Sequence, residues 1–253
     1  MRQIACSFFL FVLLATAGAG QVLAEKRVAL VIGNSDYRHV GKLRNPKNDA
    51  QLMAATLRRV GFAVTTLIDV DQRAMKKAMR DFGRALRGSG AVGLFYYAGH
   101  GVQVAGENYL IPVNANLADE SEIEFDAVNV NAFLQTMERA SSRINIVILD
   151  ACRNNPFARS FRSATRGLAR VDAPRGTYIA YATSPGDVAQ DGKTGNSPYT
   201  SALAKAIELP GLTIEQVFKQ ARNDVLATTQ EQQVPWETSS ITGEFFFGAR
   251  PLS

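Results

Sequence analysis

The stretch Ile144–Pro156, I-N-I-V-I-L-D-A-C-R-N-N-P, constrains this chain more than any other. Ile144, Ile146, Val147, Ile148 and Leu149 form an almost unbroken β-branched and aliphatic run, the pattern of a strand buried on both faces of a parallel sheet. The run stops at Asp150-Ala151-Cys152-Arg153, ahead of the turn formers Asn154, Asn155 and Pro156. Open α/β sheets place their reactive groups outside the carboxyl ends of the strands, so Cys152 is expected at a strand tip. A second apolar run, Val92–Tyr97, ends the same way in Ala98-Gly99-His100-Gly101. A thiol at one tip and an imidazole at another point to a cysteine–histidine dyad.

The other cysteine, Cys6, falls in an N-terminal segment with the pattern of a secretory signal: a basic start at Arg2, an apolar run from Ile4 to Ala19, and small residues at Val22-Leu23-Ala24. Residues 1–24 are therefore expected to be a signal peptide and residues 25–253 a single exported domain, periplasmic or secreted, with no stable membrane insertion. Cleavage leaves one thiol, which excludes a structural disulfide within the mature chain. The chain has 28 bases against 23 acids, but no nucleic-acid motif accompanies them, so no nucleic-acid partner is expected. Two histidines and one remaining cysteine cannot build a closed zinc site of the usual kind.

Strand and helix patterns alternate along the chain. Lys26–Ile32 reads as the first central strand, and Asn45-Pro46-Lys47-Asn48-Asp49 opens a helix that Gly61 ends. Phe62–Ile68 is a second strand, and Asp71 caps a helix over Gln72–Leu86 with a strongly basic outer face. Val92–Tyr97 delivers His100, Val102–Ile111 reads as a hairpin, Asn114–Asp126 as an acidic loop, and Val130–Ala140 as a helix before the Cys152 strand. Asn154–Arg175 reads as a flexible arginine-rich connector. Gly176–Ala182 is a further strand, Ser197–Glu208 and Thr213–Thr228 are helices, and Glu244–Phe247 is a short final strand. The alternation is that of a doubly wound α/β sheet. Gly33-Asn34-Ser35-Asp36 lacks a dinucleotide fingerprint, and no G-x-S-x-G elbow is present.

Thiol chemistry on a peptide needs a nucleophile, a proton shuttle and oxyanion donors. Cys152 and His100 supply the first two, and the backbone N–H groups of Gly101 and Cys152 can supply the third. Gly99 and Gly101 let a substrate backbone approach closely. His39 lies in a polar loop and reads as a surface residue.

Y-Y-A-G-H-G followed by L-D-A-C-R, with His100 52 positions before Cys152, resembles the caspase-like cysteine peptidases, and within them the bacterial metacaspase-like (orthocaspase) branch. The resemblance covers nearly all of Lys26–Phe247. It implies a caspase-like three-layer α-β-α sandwich around a mostly parallel six-stranded sheet. Residues 26–153 would form the larger part, 154–175 the connector and 176–253 the smaller part. It also implies a cysteine endopeptidase acting on protein or peptide substrates. Where a caspase has Gln beside the Ala-Cys pair this chain has Asp150, and an acid there attracts a cation and repels aspartate. The metacaspase-like branch is implied to cleave after Arg or Lys, using this acid together with one in the N-x-x-N-D segment, which here is Asp49. Self-cleavage within the Arg-rich connector and a plain solvated loop both stay open. The acidic stretch Asp119–Asp126 loosely resembles the calcium-holding region of some metacaspases but fits no defined ion loop; no cofactor is expected to be required, and calcium stays open. The branch is implied to be mainly monomeric. A catalytically silent binding or assembly module on the same fold is the alternative.

Overall fold

The computed structural model describes residues 25–88, 90–151, 167–192 and 194–250. In chain order the elements are β1 (Arg27–Gly33), α1 (Pro46–Arg59), β2 (Ala63–Ile68), α2 (Gln72–Leu86), β3 (Val92–Gly99), β4 (Gly101–Val104), β5 (Glu107–Leu110), α3 (Ile123–Asp126), β6 (Val128–Asn129), α4 (Val130–Arg139), β7 (Ile144–Ala151), β8 (Thr177–Tyr181), α5 (Pro198–Ile207), α6 (Ile214–Thr229) and β9 (Trp236–Ser239). The expected signal segment lies outside the described residues, and among the described residues no helix is long and apolar enough to cross a membrane.

Six strands form one sheet in the order β2-β1-β3-β7-β8-β9, parallel throughout except for the antiparallel β8–β9 edge. The continuous apolar runs of β3 and β7 take its centre, and every residue of both strands is buried. Alternate side chains feed two cores. Ala29, Leu94, Tyr96, Ile146 and Ile148 pack beneath α1, α5 and α6. Leu30, Phe95, Tyr97, Val147 and Leu149 pack beneath α2 and α4. Each fully buried aliphatic side chain contributes about 1.5–3 kcal/mol, so the central strands are fixed in register by side chains on both faces. The result is the expected three-layer α-β-α sandwich with a mostly parallel six-stranded sheet.

Local signals set the helix starts. Asp71 accepts from the Ala74 N–H at 2.8 Å to cap α2. Thr213 and Gln216 form a reciprocal capping box at the start of α6. Val102–Ile111 is the expected hairpin, turning at Ala105-Gly106, where both residues have positive φ as a tight two-residue turn requires.

Three expectations are corrected. Glu244–Phe247 is not the final strand; that place belongs to β9, whose W-E-T-S sequence is too polar to stand out. The Phe-x-Phe alternation of Phe245 and Phe247 mimics a strand, but both rings drop into the core with Phe62 and Phe218. The Arg27 guanidinium instead holds this segment, donating to the Phe246 and Phe247 carbonyls at 2.9 and 2.6 Å. The acidic loop contains a 3-10 turn, Glu120–Glu122, followed by α3. Finally, the described end of the connector, residues 167–175, is tied down. Ala169 exchanges two 2.7 Å hydrogen bonds with the Asn108 side chain, and the Val171 N–H donates to the Tyr181 hydroxyl.

Candidate active site

The tips of β3 and β7 lie side by side. The two strands run parallel with Ala98 opposite Asp150 and Gly99 opposite Ala151. His100 follows Gly99 in the chain and Cys152 follows Ala151. Cys152 and the arginine-rich residues up to 166 lie outside the described residues. What the structure defines is the frame that leads to the thiol.

His100 is almost fully buried and is held from several sides. Its backbone N–H donates to the Tyr37 hydroxyl at 2.7 Å, and its ring tilts against that of Tyr37 at a centroid distance of 4.5 Å. The Tyr97 hydroxyl lies 2.9 Å from the His100 carbonyl and 3.0 Å from that of Ile111. Nε2 lies 2.8 Å from the Gly41 carbonyl. A carbonyl only accepts, so Nε2 carries the proton and the basic lone pair is on Nδ1. Burial, with Tyr37 next to it, pushes the Tyr97 hydroxyl well above the usual phenol range, so it stays a donor.

Two glycines shape this corner. A Cβ on Gly99 would come within 2.6 Å of the Tyr37 hydroxyl and 2.7 Å of that of Tyr97. Gly101 starts β4 against Ala151, whose Cβ would be 3.1 Å from an added one. Because the Ile111 N–H donates to the His100 carbonyl, hydrogen-bonded pairs in the β4–β5 hairpin alternate from that point. The Gly101–Leu110 pair is then a non-hydrogen-bonded one, and the Gly101 N–H points away from β5. An oxyanion donor must likewise lie off the β-ladder.

Asp150 and Asp49 are fully buried on the α1–α5 side of the sheet. Asp150 Oδ2 accepts from Ser197 Oγ at 2.5 Å and Thr200 Oγ1 at 2.7 Å, with the Tyr96 hydroxyl at 3.5 Å. Asp49 sits in the first turn of α1, and its Oδ1 accepts from the Ser197 N–H at 2.8 Å and the Asn196 side-chain amide at 2.9 Å. Ser197 thus touches both acids, one through its hydroxyl and the other through its backbone. It also caps α5, accepting from the Thr200 N–H at 2.9 Å. The sequence places Ser197 at a helix start but gives no sign of this bridge.

A third acid joins the corner. Asp191 Oδ2 accepts from the Arg44 N–H at 3.1 Å, and its carbonyl accepts from the Asn45 side-chain amide. Asn48 donates to the Gly195 carbonyl at 2.9 Å. The N-x-x-N-D segment therefore clamps the loop before α5: Ser197 joins the buried Asp49 and Asp150 as an acid ledge by the tip of β7, and Asp191 is held at the Arg44-Asn45 end of the same loop. A cleft of about 720 Å³ behind this loop, lined by Asn196, Ser201, Lys205, Asp224 and Thr228, includes neither His100 nor Asp150.

In the acidic stretch, the Glu122 carboxylate accepts from the Ala118 N–H at 2.8 Å and the Asp119 carboxylate from that of Ser121 at 2.8 Å. Among the described residues no group of three or more His, Cys, Asp or Glu side chains is placed to hold a metal ion.

Comparison with known proteins agrees with this frame. Two relatives are the human protein named mucosa-associated lymphoid tissue lymphoma translocation protein 1 and its mouse homolog. Each is 36% identical over about half of this chain, 133 residues for the human protein and 134 for the mouse one. The aligned part is 16% of each relative's own length. The family model described as the caspase domain matches residues 26–246. That span takes in all six strands, both strand tips and all three acids, and the chain belongs to the caspase-domain family.

Proposed function

We propose that this protein is a cysteine endopeptidase that hydrolyses peptide bonds after Arg or Lys, with Cys152 as nucleophile and His100 as proton shuttle. The observation that carries the proposal is the Gly99–Ala151 register: the residues that precede His100 and Cys152 in the chain face each other on adjacent parallel strands. Family membership and the proton on Nε2 support it.

The chemistry follows from these groups. Nδ1 of His100 takes the Cys152 thiol proton, and the thiolate sulfur attacks the scissile carbonyl carbon. The oxyanion that forms is met by the Gly101 and Cys152 N–H groups. The imidazolium returns its proton to the leaving nitrogen as the C–N bond breaks, leaving a thioester. Water, deprotonated by Nδ1, then attacks the thioester; the acid departs and the thiol is regenerated. None of these steps requires a metal or organic cofactor.

Specificity comes from the ledge of acids. A guanidinium entering beside Asp150 and Asp49 gains charge-assisted, bidentate-capable partners where water is largely excluded, while an aspartate would meet like charge. Acids at both positions are also the reason for grouping the chain with the metacaspase-like branch. By the same preference, arginines within residues 153–175 are candidate sites of self-cleavage. The signal-like pattern of residues 1–24 supports a location outside the cytoplasm.

The test is hydrolysis of two fluorogenic peptides, one with Arg and one with Asp before the scissile bond, under reducing conditions with and without calcium. Cleavage after Arg that is lost in Cys152→Ala is expected. Cleavage after Asp would overturn the roles given to Asp49 and Asp150, and inactivity on both would leave a binding module as the better reading. Fragments that persist in Cys152→Ala would rule out self-processing.

A further inference from the structure

The chain's charge is sorted onto two neighbouring surfaces. Residues 72–87, which are α2 and the residue after it, carry six bases, Arg73, Lys76, Lys77, Arg80, Arg84 and Arg87, against the single acid Asp81. That excess of five equals the formal net charge of the whole chain. The rest of the molecule is balanced. Lys77 and Arg84 pair with Asp81, whereas Arg73, Lys76 and Arg80 make no ion pair among the described residues.

Beside this helix lies its opposite. Residues 117–129 carry five acids and no base. Within them α3 exposes Glu124, Phe125 and Asp126 together, and Phe125 is 75% exposed, the most of any large hydrophobic residue described. Its setting is fixed: the Gln72 side-chain amide, at the first position of α2, donates to the carbonyls of Phe125 and Ala127. An aromatic held out into water between two acids gains nothing for the monomer's own core.

Between the two surfaces runs a groove of about 310 Å³ with Met79, Val128 and Phe133 in its apolar floor and Lys76, Arg80 and Glu124 on its rim. An apolar floor with two cations at its edge suits an aromatic side chain flanked by carboxylates. Phe125 with Glu124 and Asp126 has that chemistry. A basic half and an acidic half side by side on one face form a self-complementary patch, the condition for a two-fold contact in which each copy donates to and accepts from the other.

We infer that this face is a two-fold docking surface for a second copy of the chain, each copy seating Phe125 in the other's α2–α4 groove with Glu124 and Asp126 against Lys76 and Arg80. Such a contact has an aromatic anchor at its centre and charge pairs around it, so salt weakens it. It departs from the monomer that the metacaspase-like resemblance implies. It is also independent of the proposed peptidase activity.

The experiment is sedimentation velocity on the full chain in its Cys152→Ala form under reducing conditions, which removes self-cleavage and keeps Cys6 from cross-linking. Dimers are expected at low salt, with dimerisation weakened at least about tenfold between roughly 50 and 500 mM salt. Phe125→Ser, the pair Lys76→Glu with Arg80→Glu, and the pair Glu124→Lys with Asp126→Lys are each expected to be monomeric. Mixing the two charge-reversed proteins is expected to restore a dimer, because every contact is then complementary again. A chain that stays monomeric at low salt overturns the proposal, as does a dimer indifferent to all three variants. Binding of the monomer to anionic vesicles without self-association would likewise reject it, in favour of a lipid-facing helix.

Discussion

Ser197 joins two acids that are 101 positions apart in the chain, one of them at the tip of β7. Its hydroxyl donates to Asp150, its N–H to Asp49, and its oxygen accepts the cap bond that starts α5. Ser197→Ala removes the hydroxyl but not the N–H, so Asp150 loses a short partner and α5 its cap. We expect a loss of about 1–2 kcal/mol in unfolding free energy, measured in denaturant. Activity on the Arg peptide is expected to fall through a higher KM more than a lower kcat, and Ser197→Thr to recover most of both. Asp150 and His100 were legible from the sequence because each ends a conspicuous buried strand. Ser197, Thr200 and Asp191 were not. Their partners lie 47 to 148 positions away, and a serine ahead of a proline reads only as a helix start.

At the scale of elements, buried tyrosines flank the strand tips. Tyr97, near the end of β3, bonds the His100 backbone, and Tyr199 opens α5 beneath Asp150. Burial pushes both hydroxyls well above their usual value near 10, with Tyr37 adding to the shift at Tyr97 and Asp150 at Tyr199. Tyr178 in β8 is raised too, again by burial first and then by Glu237. The unfolded chain releases these protons near pH 10 while the folded chain retains them. The stability is therefore fully present below pH 10 and lost as pH rises beyond it, at about 1.4 kcal/mol per pH unit for each tyrosine. Urea midpoints from pH 8 to 11 are expected to be flat and then to drop steeply, and Tyr97→Phe to make the drop shallower. A midpoint that holds through pH 11 would contradict the burial of these rings. The helices and central strands were legible because caps and unbroken apolar runs are local signals. β9 was not, since an edge strand held mainly by β8 needs no apolar pattern of its own, while Phe245 and Phe247 had the pattern but their segment makes only an isolated bridge, Phe246 to Thr213, outside the sheet.

For the whole molecule, the two faces of one sheet divide the labour. The α2–α4 side carries the sorted surface charge, and the α1–α5 side carries the acids beside the strand tips. The sheet's parallel register sets Gly99 opposite Ala151, the residues before His100 and Cys152, from positions 52 apart. Parallel strands require such crossovers, so a buried run ending in a polar tip was informative before any geometry was known. The acid ledge needed three dimensions, because it is assembled from the start of α1, the end of β7 and the loop before α5.

The most direct test of the account is covalent trapping of the thiol. The intact protein is treated with two peptidyl chloromethyl ketones, one ending in Arg and one in Asp, and the adduct is located by mass spectrometry. We predict one equivalent of the Arg probe on Cys152, with labelling at least about a hundredfold slower for the Asp probe and for His100→Ala. Equal labelling by both probes, or wild-type rates without His100, would contradict the claim that the two strand tips and the acid ledge act as one site.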